Sequence, residues 1–422
     1  MLGLDIGTTR IKAVAIDPAG DEQAAASVPT PFSTSAGGVD MEVAELERAV
    51  AAVVAALGPA REQVAAVGVA GMAESGAPLR AGRPVAPIIA WHDGRGEETV
   101  ASLEARFGVA LPRWTGRRLR TVSSVAKLGW LIDHGLPTPD RWLGVPELVL
   151  WLLTGAEVSE HSLAARTGAY HVTDRTWLAG VTDHLSIPAG VFPEVRPAGS
   201  AMGSVSEEAA RRFGIPAGVP VTVAGHDHLA AGAGLGASPD DLLNSVGTAE
   251  TVFRRTDSAP DIQRALDLDL AVTLWPGGTS WAVLASAARS GVVLAELATS
   301  LGRSPAELDR LAESGSEAGR QWSTALAALA GRTVKAGERV AEVVGPHRRL
   351  VVFGGGSRSA PWLAAKARAA GVPVVRSGVA EAAARAAAVA GGVAVGWWPT
   401  PGDSPTPLLD AGGAPPGTMG TS

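Results

Sequence analysis

The sequence contains no cysteine, so disulfide bonds, a thiolate nucleophile and a cysteine-ligated metal site are all excluded. It also has no long run of charge of one sign, because 42 acidic and 36 basic residues are interspersed to give a net charge of -6. An extended polyanion such as DNA therefore meets no obvious basic surface. We expect no nucleic-acid partner.

Membrane and targeting signals are likewise missing. No apolar stretch of about 18 residues occurs that could cross a membrane, and residues 1–5 lack the basic and apolar segments of a signal peptide. We therefore expect a cytoplasmic protein without a membrane partner. The sequence also has no G-x-x-x-x-G-K-[ST] loop and no convincing dinucleotide fingerprint, so neither a P-loop nor a Rossmann nucleotide site is predicted.

What the chain does contain is enough apolar material for well-filled cores. Of its 422 residues 46% are hydrophobic and 18% charged, and this length favours two large domains. Strand and helix patterns alternate in the first half, which indicates an α/β fold. We predict an N-terminal domain over residues 1–224, a C-terminal domain over residues 225–398, and a disordered tail over residues 399–422, where Pro, Gly, Ser and Thr dominate.

Two segments of the chain are similar to each other. Residues 2–6 and 11–16 are β-type runs around a small-residue turn, which predicts a hairpin. Residues 243–253 repeat the strand, Gly-Thr turn and strand, with Ser245 in the register of Asp5. Residues 350–353 then echo the strand at residues 67–70. We interpret the two halves as a duplication that shares a scaffold without sharing chemistry.

Three glycine-rich turns offer backbone N–H groups or an unobstructed backbone to a ligand. The turn after Asp5 and the turn at Gly247 can each face an anion such as a nucleotide phosphate. Residues 354–356 present a backbone that a flat ring can approach closely. Each turn alone is also compatible with an ordinary polar hairpin, but three such turns in one order favour a nucleotide site.

Along nearly the whole chain, the motifs resemble those of the FGGY family of carbohydrate kinases, members of the actin and sugar kinase superfamily, and among them xylulose, fuculose and gluconate kinases. The resemblance rests on these segments: residues 3–9 with Lys12, residues 89–95, residues 162–168 with Trp177 beyond them, residues 224–228, residues 245–248, and residues 353–357 with residues 381–385. It implies an α/β fold of two ribonuclease H-like (actin-type ATPase) domains with an interdomain active-site cleft. It also implies ATP-dependent, Mg²⁺-dependent phosphorylation of a hydroxyl of a small sugar, ketose or polyol.

The resemblance further implies roles for individual residues. Asp227 would be the general base, although an Asp at this place could equally be a helix cap. Lys12 would add charge at the phosphates, with a solvated lysine as the equal alternative. The remaining implied assignments are Gly7, Thr8, Thr9, Gly247 and Thr248 for the phosphates, Gly354, Gly355, Gly356 and Ser357 for adenosine, and Asp5 with Asp227 for Mg²⁺.

The sugar is expected to lie against residues that follow two neighbouring strands. Glu74, Trp91 and Asp93 can converge at the carboxyl ends of those strands, although Trp91 could as easily belong to the core. Asp227 and His228 would complete the set, with a hydrogen-bonding histidine favoured over a metal site at residues 226–228. Ala73 stands where glycerol-specific members of the family carry arginine, so glycerol is not the expected substrate.

Two other functions remain open at this point. A sugar or nucleotide sensor would keep the turns and could dispense with the base, and a hydrolase of the same superfamily would activate water instead of a sugar hydroxyl. The observation that separates them is whether ADP release requires an added sugar. A homodimer is compatible with the sequence, which leaves the oligomeric state open.

Overall fold

The structure is a computed structural model that describes residues 1–35 and 37–404. The chain divides into two compact units. Unit 1 contains residues 1–236, 271–281 and 381–404 of the described chain, and unit 2 contains residues 237–270 and 282–380. The division into domains at residues 1–224 and 225–398 stays a prediction. Of the tail predicted to be disordered, residues 399–404 are described, with a 3-10 turn at Pro401–Asp403, and residues 405–422 lie outside the described residues.

The strands in chain order are β1 (Leu2–Ile6), β2 (Arg10–Ile16), β3 (Glu22–Pro29), β4 (Ser33–Ser35), β5 (Gly38–Met41), β6 (Val67–Gly71), β7 (Gly76–Arg80), β8 (Arg83–Pro84), β9 (Ile88–Ile89), β10 (Arg141–Gly144), β11 (Val158–Glu160), β12 (Tyr170–His171), β13 (Thr176–Trp177), β14 (Glu194–Arg196), β15 (Gly203–Ser204), β16 (Pro220–His226), β17 (Asp241–Val246), β18 (Glu250–Thr256), β19 (Ala271–Leu274), β20 (Trp281–Ala288), β21 (Arg349–Phe353) and β22 (Val374–Arg376).

The α-helices are α1 (Val43–Ala55), α2 (Glu97–Phe107), α3 (Ala110–Thr115), α4 (Ser124–Asp133), α5 (Val145–Thr154), α6 (His161–Ala164), α7 (Ala179–His184), α8 (Glu207–Phe213), α9 (Asp227–Gly234), α10 (Ile262–Asp267), α11 (Ser290–Ser300), α12 (Pro305–Leu311), α13 (Glu317–Val344), α14 (Ala360–Ala370) and α15 (Ala382–Ala394). Within the described residues, none of these helices combines the length and apolar character needed to span a membrane.

The main sheet of unit 1 has the order β15-β16-β6-β1-β2-β3. β1 pairs antiparallel with β2, which confirms the predicted hairpin, and parallel with β6, which in turn pairs parallel with β16. β1 is buried along its whole length. The carboxyl ends of β1, β6 and β16 therefore lie at one edge of the sheet, where the chain can place polar groups.

The sheet of unit 2 repeats this pairing. β17 pairs antiparallel with β18 and parallel with β21, and β21 pairs parallel with β22. Ser245 pairs with the end of β21 as Asp5 pairs with the end of β6, and each is the penultimate residue of its strand. The predicted shared scaffold and register are confirmed. The turn of unit 2 is one residue shorter, because Val246 pairs with Glu250 whereas Ile6 pairs with Ile11.

The sequence pattern predicts a strand at residues 87–91 and a helix from residue 95, and both elements are shorter in the structure. The strand is limited to Ile88–Ile89, and the helix begins at Glu97. The reason is local: the backbone N–H of Arg95 bonds the Asp93 carboxylate, and Gly96 then takes a φ of 100°, so the chain turns before the helix can start.

Helix α15 packs directly on the sheet of unit 1 because both surfaces are made of small residues. A Cβ on Gly3 would lie 1.8 Å from the carbonyl oxygen of Ala384, and a Cβ on Gly68 would lie 1.7 Å from that of Ala387. Alanines from the sheet, α9 and α15 form one small buried cluster at this contact. Backbone therefore approaches backbone, and no larger residue fits without moving the helix.

Glu147 is a buried carboxylate at the start of α5. It accepts hydrogen bonds from the Gly144 N–H and the Ser159 hydroxyl, but no cation lies against it among the described residues. Burial raises its pKa to about 7, and the two hydrogen bonds only partly oppose this. A group whose pKa is higher in the folded state holds an extra proton there, so its contribution to stability falls as pH rises from about 4.5 to about 7.

We expect Gly68→Ala to destabilise unit 1 by about 1–3 kcal/mol or more, because the added methyl group overlaps the α15 backbone. Urea unfolding at constant pH measures the change. Gly331→Ala is the matched control: a Cβ there meets nothing within 4 Å and the residue lies inside α13, so stability should stay the same or rise. Equal stability of Gly68→Ala and the parent would contradict the close packing.

A second stability prediction concerns Glu147→Gln, whose amide can satisfy both hydrogen-bonding groups without a charge. We expect the variant to be more stable than the parent by roughly 1–3 kcal/mol at pH 8, with the difference shrinking at pH 5, where the parent carboxyl is protonated. Urea unfolding at both pH values checks this. Glu104→Gln on the exposed face of α2 should change stability little at either pH. A pH-independent effect of Glu147→Gln would refute the explanation.

Candidate active site

Asp5, Lys12 and Glu381 form a charged group at the end of β1. Lys12 is the strand partner of Asp5 on β2, so its Nζ lies 3.9 Å from Asp5 Oδ2 and 2.6 Å from Glu381 Oε2. Burial raises the pKa of Asp5 to about 7, with a further rise from the charge of Asp227 that Lys12 only partly offsets. Asp5 Oδ1 is buried and has no hydrogen-bond partner within residues 1–35 and 37–404. The site is therefore short of positive charge beside Asp5.

The turn after β1 is fixed from two sides. The Gly7 N–H donates to the Arg10 carbonyl at 3.2 Å, and the Thr30 hydroxyl donates to the Gly7 carbonyl at 2.7 Å. Trp91 Nε1–H donates to the Thr8 hydroxyl at 2.9 Å. Because that hydroxyl accepts from Trp91, its own proton is left to donate elsewhere. The indole of Trp91 thus contacts the turn at residues 7–9, and no local pattern in the sequence predicts this contact.

A bulge in β16 positions the predicted base. The register of β16 against β6 shifts between Val223 and Gly225, and Gly225 has a φ of 111°. A Cβ at Gly225 would lie 2.5 Å from Ser162 Oγ. The Ser162 hydroxyl in turn accepts the His226 N–H at 3.0 Å. Position 225 therefore requires glycine, both because of its positive φ and because a side chain would collide with Ser162. Asp227 follows as the first residue of α9.

The carboxylate of Asp227 lies between two histidines. The His228 N–H donates to Oδ1 at 2.6 Å, and His226 Nε2 lies 3.2 Å from the same oxygen. Burial acts to raise the pKa of Asp227, but the two histidines, this hydrogen bond and Lys12 together hold it below its usual value. Its side chain keeps 23% exposure. Asp227 is therefore an ionised, reachable carboxylate at neutral pH.

His226 is fully enclosed, and burial lowers its pKa to about 3. The ring is therefore neutral at pH 7, and the tautomer with its proton on Nε2 donates to the Asp227 carboxylate. One atom each from His226, Asp227 and His228 lies within 4.8 Å of the others, a spacing that could also hold a metal ion. The neutral, hydrogen-bonding histidine is the arrangement that the contact to Asp227 favours.

Glu74 has a φ of 71° and is buried. Arg117 Nη1 lies 2.7 Å and Arg166 Nη2 lies 2.6 Å from its Oε1. Burial acts to raise the pKa of Glu74, but Arg166 and Arg117 hold it below its usual value. Arg166 lies in the motif segment at residues 162–168 and Arg117 lies in no motif segment, and the sequence predicts no contact of either residue with Glu74.

Asp93 is tied to its own surroundings. Its two carboxylate oxygens accept the Val39 N–H at 2.7 Å and both the backbone N–H and the guanidinium of Arg95. Burial opposes ionisation, but these bonds lower the pKa of Asp93 to about 2. The Lys127 ammonium donates to the backbone carbonyl of Asp93. Sugar binding by Asp93 stays a prediction, since its observed bonds hold the loop before α2 together.

In unit 2, close contacts shape the two predicted nucleotide segments. The Gly247 N–H donates to the Ala249 carbonyl at 3.1 Å, and a Cβ on Gly291 of α11 would lie 2.5 Å from the Gly247 carbonyl oxygen. Gly354 has a φ of 89°, and the Ser357 hydroxyl donates to its carbonyl at 2.7 Å. A Cβ on Gly355 would meet nothing within 4 Å, so this backbone faces open space.

A buried ion pair lies directly behind the turn of unit 2. Glu250, the first residue of β18, accepts hydrogen bonds from Lys366 Nζ, from the Thr333 hydroxyl at 2.7 Å and from the Ser290 hydroxyl at 2.5 Å. Lys366 also donates to Thr333 at 2.8 Å. The side chains of Glu250 and Lys366 are 0% and 1% exposed. One charged residue thus ties the turn to α11, α13 and α14.

The predicted site residues are divided between the two units. Unit 1 holds Asp5, Gly7, Thr8, Thr9, Lys12, Glu74, Trp91, Asp93, Asp227 and His228, and unit 2 holds Gly247, Thr248, Gly354, Gly355, Gly356 and Ser357. Besides Arg117 and Arg166, the sequence analysis missed the pairing of Glu381 with Lys12 and of Lys366 with Glu250. No local spacing signals these pairs, because each joins distant parts of the chain.

Comparisons with known proteins find similar sequences and similar folds. The model of the FGGY family of carbohydrate kinases, N-terminal domain, matches residues 1–234. A glycerol kinase of Trichlorobacter lovleyi is 28% identical, with 94% of this chain and 90% of that protein covered. The xylulose kinase structure from Rhodospirillum rubrum has a TM-score of 0.79 at 25% identity and covers 94% of this chain and 91% of that one. The gluconate kinase structure from Lactobacillus acidophilus has a TM-score of 0.85 at 17% identity, with 97% and 92% covered. The predicted fold class is confirmed.

The ion pair behind the unit 2 turn leads to a stability prediction. Lys366→Met leaves the Glu250 carboxylate buried without a counter-charge, and we expect a loss of about 3–5 kcal/mol in urea unfolding. Lys335→Met, at an exposed position of the neighbouring α13, is the matched control and should change little. In the double variant Glu250→Gln with Lys366→Met most of the loss should be recovered. A mild effect of Lys366→Met alone would show that the pair is not a stabilising contact.

Proposed function

Because the chain belongs to the FGGY family of carbohydrate kinases, we propose that it transfers the terminal phosphoryl group of ATP to one hydroxyl of a small sugar or polyol, with Asp227 as general base. The observation that carries the proposal is the state of Asp227. It is ionised and partly exposed at the end of β16, beside the buried carboxylate of Asp5. A carboxylate in this state can accept a proton from a substrate hydroxyl.

The proposed reaction moves one proton and one phosphoryl group. The acceptor hydroxyl gives its proton to Asp227 as its oxygen attacks the terminal phosphorus, and the bond from that phosphorus to the ADP oxygen breaks. The neutral His226 and the His228 N–H hold Oδ1 of Asp227 in place. Because His226 carries no charge at pH 7, it orients the base without removing its ability to accept a proton.

Phosphoryl transfer otherwise depends on positioning and on neutralising charge. In unit 1 we assign the phosphates to Gly7, Thr8, Thr9 and Lys12, and the available Thr8 hydroxyl proton supports this. In unit 2 we assign them to Gly247 and Thr248, with adenosine against Gly354, Gly355, Gly356 and Ser357. The open backbone face of Gly355 supports the last assignment.

The residues at the end of β1 fit a divalent cation. Asp5 Oδ1 is buried without a hydrogen-bond partner in the described chain, and burial, followed by the charge of Asp227, raises the pKa of Asp5. Asp5 and Asp227 are therefore the residues that would hold Mg²⁺, which prefers carboxylate oxygens and water. When bound, the ion supplies positive charge that neutralises the phosphates.

On the acceptor side we assign Glu74, Trp91, Asp93 and His228. The relatives are named for different acceptors, among them glycerol, L-fuculose and xylulose. Ala73 precedes Glu74 where a glycerol-specific site would carry arginine, which argues against glycerol. The proposed acceptor is therefore a sugar or polyol other than glycerol.

The test of this function is ADP release from Mg-ATP with a panel of pentuloses, hexuloses, sugar acids and polyols. We expect one acceptor to raise ADP release well above the rate without acceptor and to yield a phosphorylated product. Acceptor-independent release would favour a hydrolase. ATP binding without turnover on any acceptor would favour a sensor.

With that acceptor, Asp227→Asn should lower kcat by about 10² or more, because the amide cannot take the proton. The affinity for ATP measured without Mg²⁺ should stay within about threefold, since Asp227 is assigned to the base and to the metal ion and not to the nucleotide itself. Steady-state kinetics and ATP titration give both quantities. Asp183→Asn on the exposed face of α7 is the control and should leave kcat unchanged. Near-normal turnover of Asp227→Asn would remove this residue from the mechanism.

A further inference from the structure

The charges around Glu74 do not balance. Arg117 and Arg166 both bond the same oxygen, Oε1, of this single carboxylate. Their side chains are only 10% and 15% exposed, and Glu74 is 6% exposed. Within ion-pair distance, the described residues offer these two guanidinium groups only one carboxylate, which leaves one positive charge without a direct partner in a largely desolvated place. Buried charges are normally paired, so this excess calls for a further anion.

We propose that Arg117 and Arg166 form a carboxylate-binding position, and that the acceptor is therefore a sugar acid, that is, an aldonate rather than a neutral sugar or polyol. This inference rests on the proposed kinase function and names the substrate class of the same site. A guanidinium presents planar N–H groups that match a carboxylate, which makes arginine well suited to select such a ligand.

Arg166 has unused bonding capacity. Its Nε is buried and has no hydrogen-bond partner within the described part of the chain, while one of its terminal nitrogens bonds Glu74. Arg117 is affected by the same excess of positive charge. Burial lowers its pKa to about 10, and the charge of the nearby Arg166 lowers it further. A second carboxylate would supply both an acceptor for Arg166 and the missing negative charge.

The arginines lie close to the proposed base. Arg166 follows α6, and the Ser162 hydroxyl of that helix accepts the His226 N–H at 3.0 Å. His226 Nε2 in turn lies 3.2 Å from Asp227 Oδ1. An acid group at Arg166 would thus place the hydroxyls of a small polyhydroxy chain towards Asp227. The carboxylate would select the substrate and would also anchor its orientation.

The alternative is that both arginines only hold Glu74, which would bind sugar hydroxyls itself. The two cases differ in what they predict for acceptors that share a carbon chain. A clamp on Glu74 affects acidic and neutral acceptors equally, whereas a carboxylate position affects only the acidic ones. Selectivity between matched acceptors is therefore the decisive measurement.

Matched acceptor pairs provide that measurement on the intact protein. D-gluconate and D-glucitol differ only in a terminal carboxylate against a hydroxymethyl group, and D-xylonate and xylitol form the five-carbon pair. We expect kcat/KM with Mg-ATP to favour the acid by about 10- to 100-fold in at least one pair, the range typical of a hydrogen bond to a charged group. Equal or better use of the neutral partners, or of neutral ketoses over both acids, would overturn the inference while leaving the kinase function intact.

Variants of Arg166 separate binding from structure. Arg166→Gln keeps a planar N–H group and leaves Glu74 paired with Arg117, and we expect the KM for the acid to rise about 10- to 100-fold while the KM for ATP stays the same. Arg166→Lys should recover part of the loss, because it restores the charge without the planar geometry. Arg196→Gln, whose partner is the exposed Glu194, is the control and should behave as the parent. A loss that is equal for acidic and neutral acceptors would support the clamp instead.

If no acceptor stimulates ADP release, the proposed function is wrong, and the carboxylate position is then tested by direct binding. D-gluconate and D-xylonate are then titrated calorimetrically into the parent and Arg166→Gln, with the two alditols alongside. Binding of an acid that Arg166→Gln abolishes supports the carboxylate position independently of catalysis. Failure of both acids to bind the parent at millimolar concentration overturns it.

Discussion

The unfavourable proximity of two carboxylates, Asp5 and Asp227, is the constraint on which the site in unit 1 depends. Burial and the charge of Asp227 raise the pKa of Asp5, and Lys12 relieves this only in part because it also pairs with Glu381. Such an arrangement costs stability, and proteins retain it where function needs it. In the proposed function, Mg²⁺ held by Asp5 and Asp227 would supply the positive charge that the folded chain lacks at this place. The bulge at Gly225 and the contact with His226 hold the Asp227 carboxylate in position.

The two units use one scaffold for different chemistry. Both present a turn after the first strand of a mixed sheet, with a parallel strand on the other side. In unit 1 the penultimate residue of that strand is the charged Asp5, whereas unit 2 has Ser245 there and places its buried charge, Glu250, just after the turn. The carboxylate of Glu250 is fully paired with Lys366 and two hydroxyls, so it supports the turn instead of meeting a ligand. Duplicated backbone thus leaves the choice of reactive group to individual side chains.

Around Glu74, too, the backbone positions the carboxylate while distant side chains supply the opposite charge. Glu74 takes an unusual φ at the end of the segment after β6, and two arginines from distant segments converge on it. The sequence suggests Trp91 and Asp93 as direct sugar contacts. In the structure the Trp91 indole donates to the Thr8 hydroxyl, and the Asp93 carboxylate accepts from Arg95. Charge balance around Glu74 is therefore set by Arg117, which lies outside the motif segments, and by Arg166, which lies within one of them.

Local patterns in the sequence were sufficient for the hairpin of β1 and β2, its repeat in β17 and β18, several helices in the first half of the chain, and the place of Asp227 at a strand end. Strand alternation, helical periodicity and glycine turns act over a few residues, so they can be recognised without the fold. The partners of the charged groups could not be recognised in this way. Arg117 and Arg166 reach Glu74 across 43 and 92 residues, and Lys366 reaches Glu250 across 116. The sequence by itself determined which groups are available and where the strands end. Only the tertiary structure decided which charges meet and which remain unbalanced, because burial and long-range contacts set that balance and leave no periodic trace in the chain.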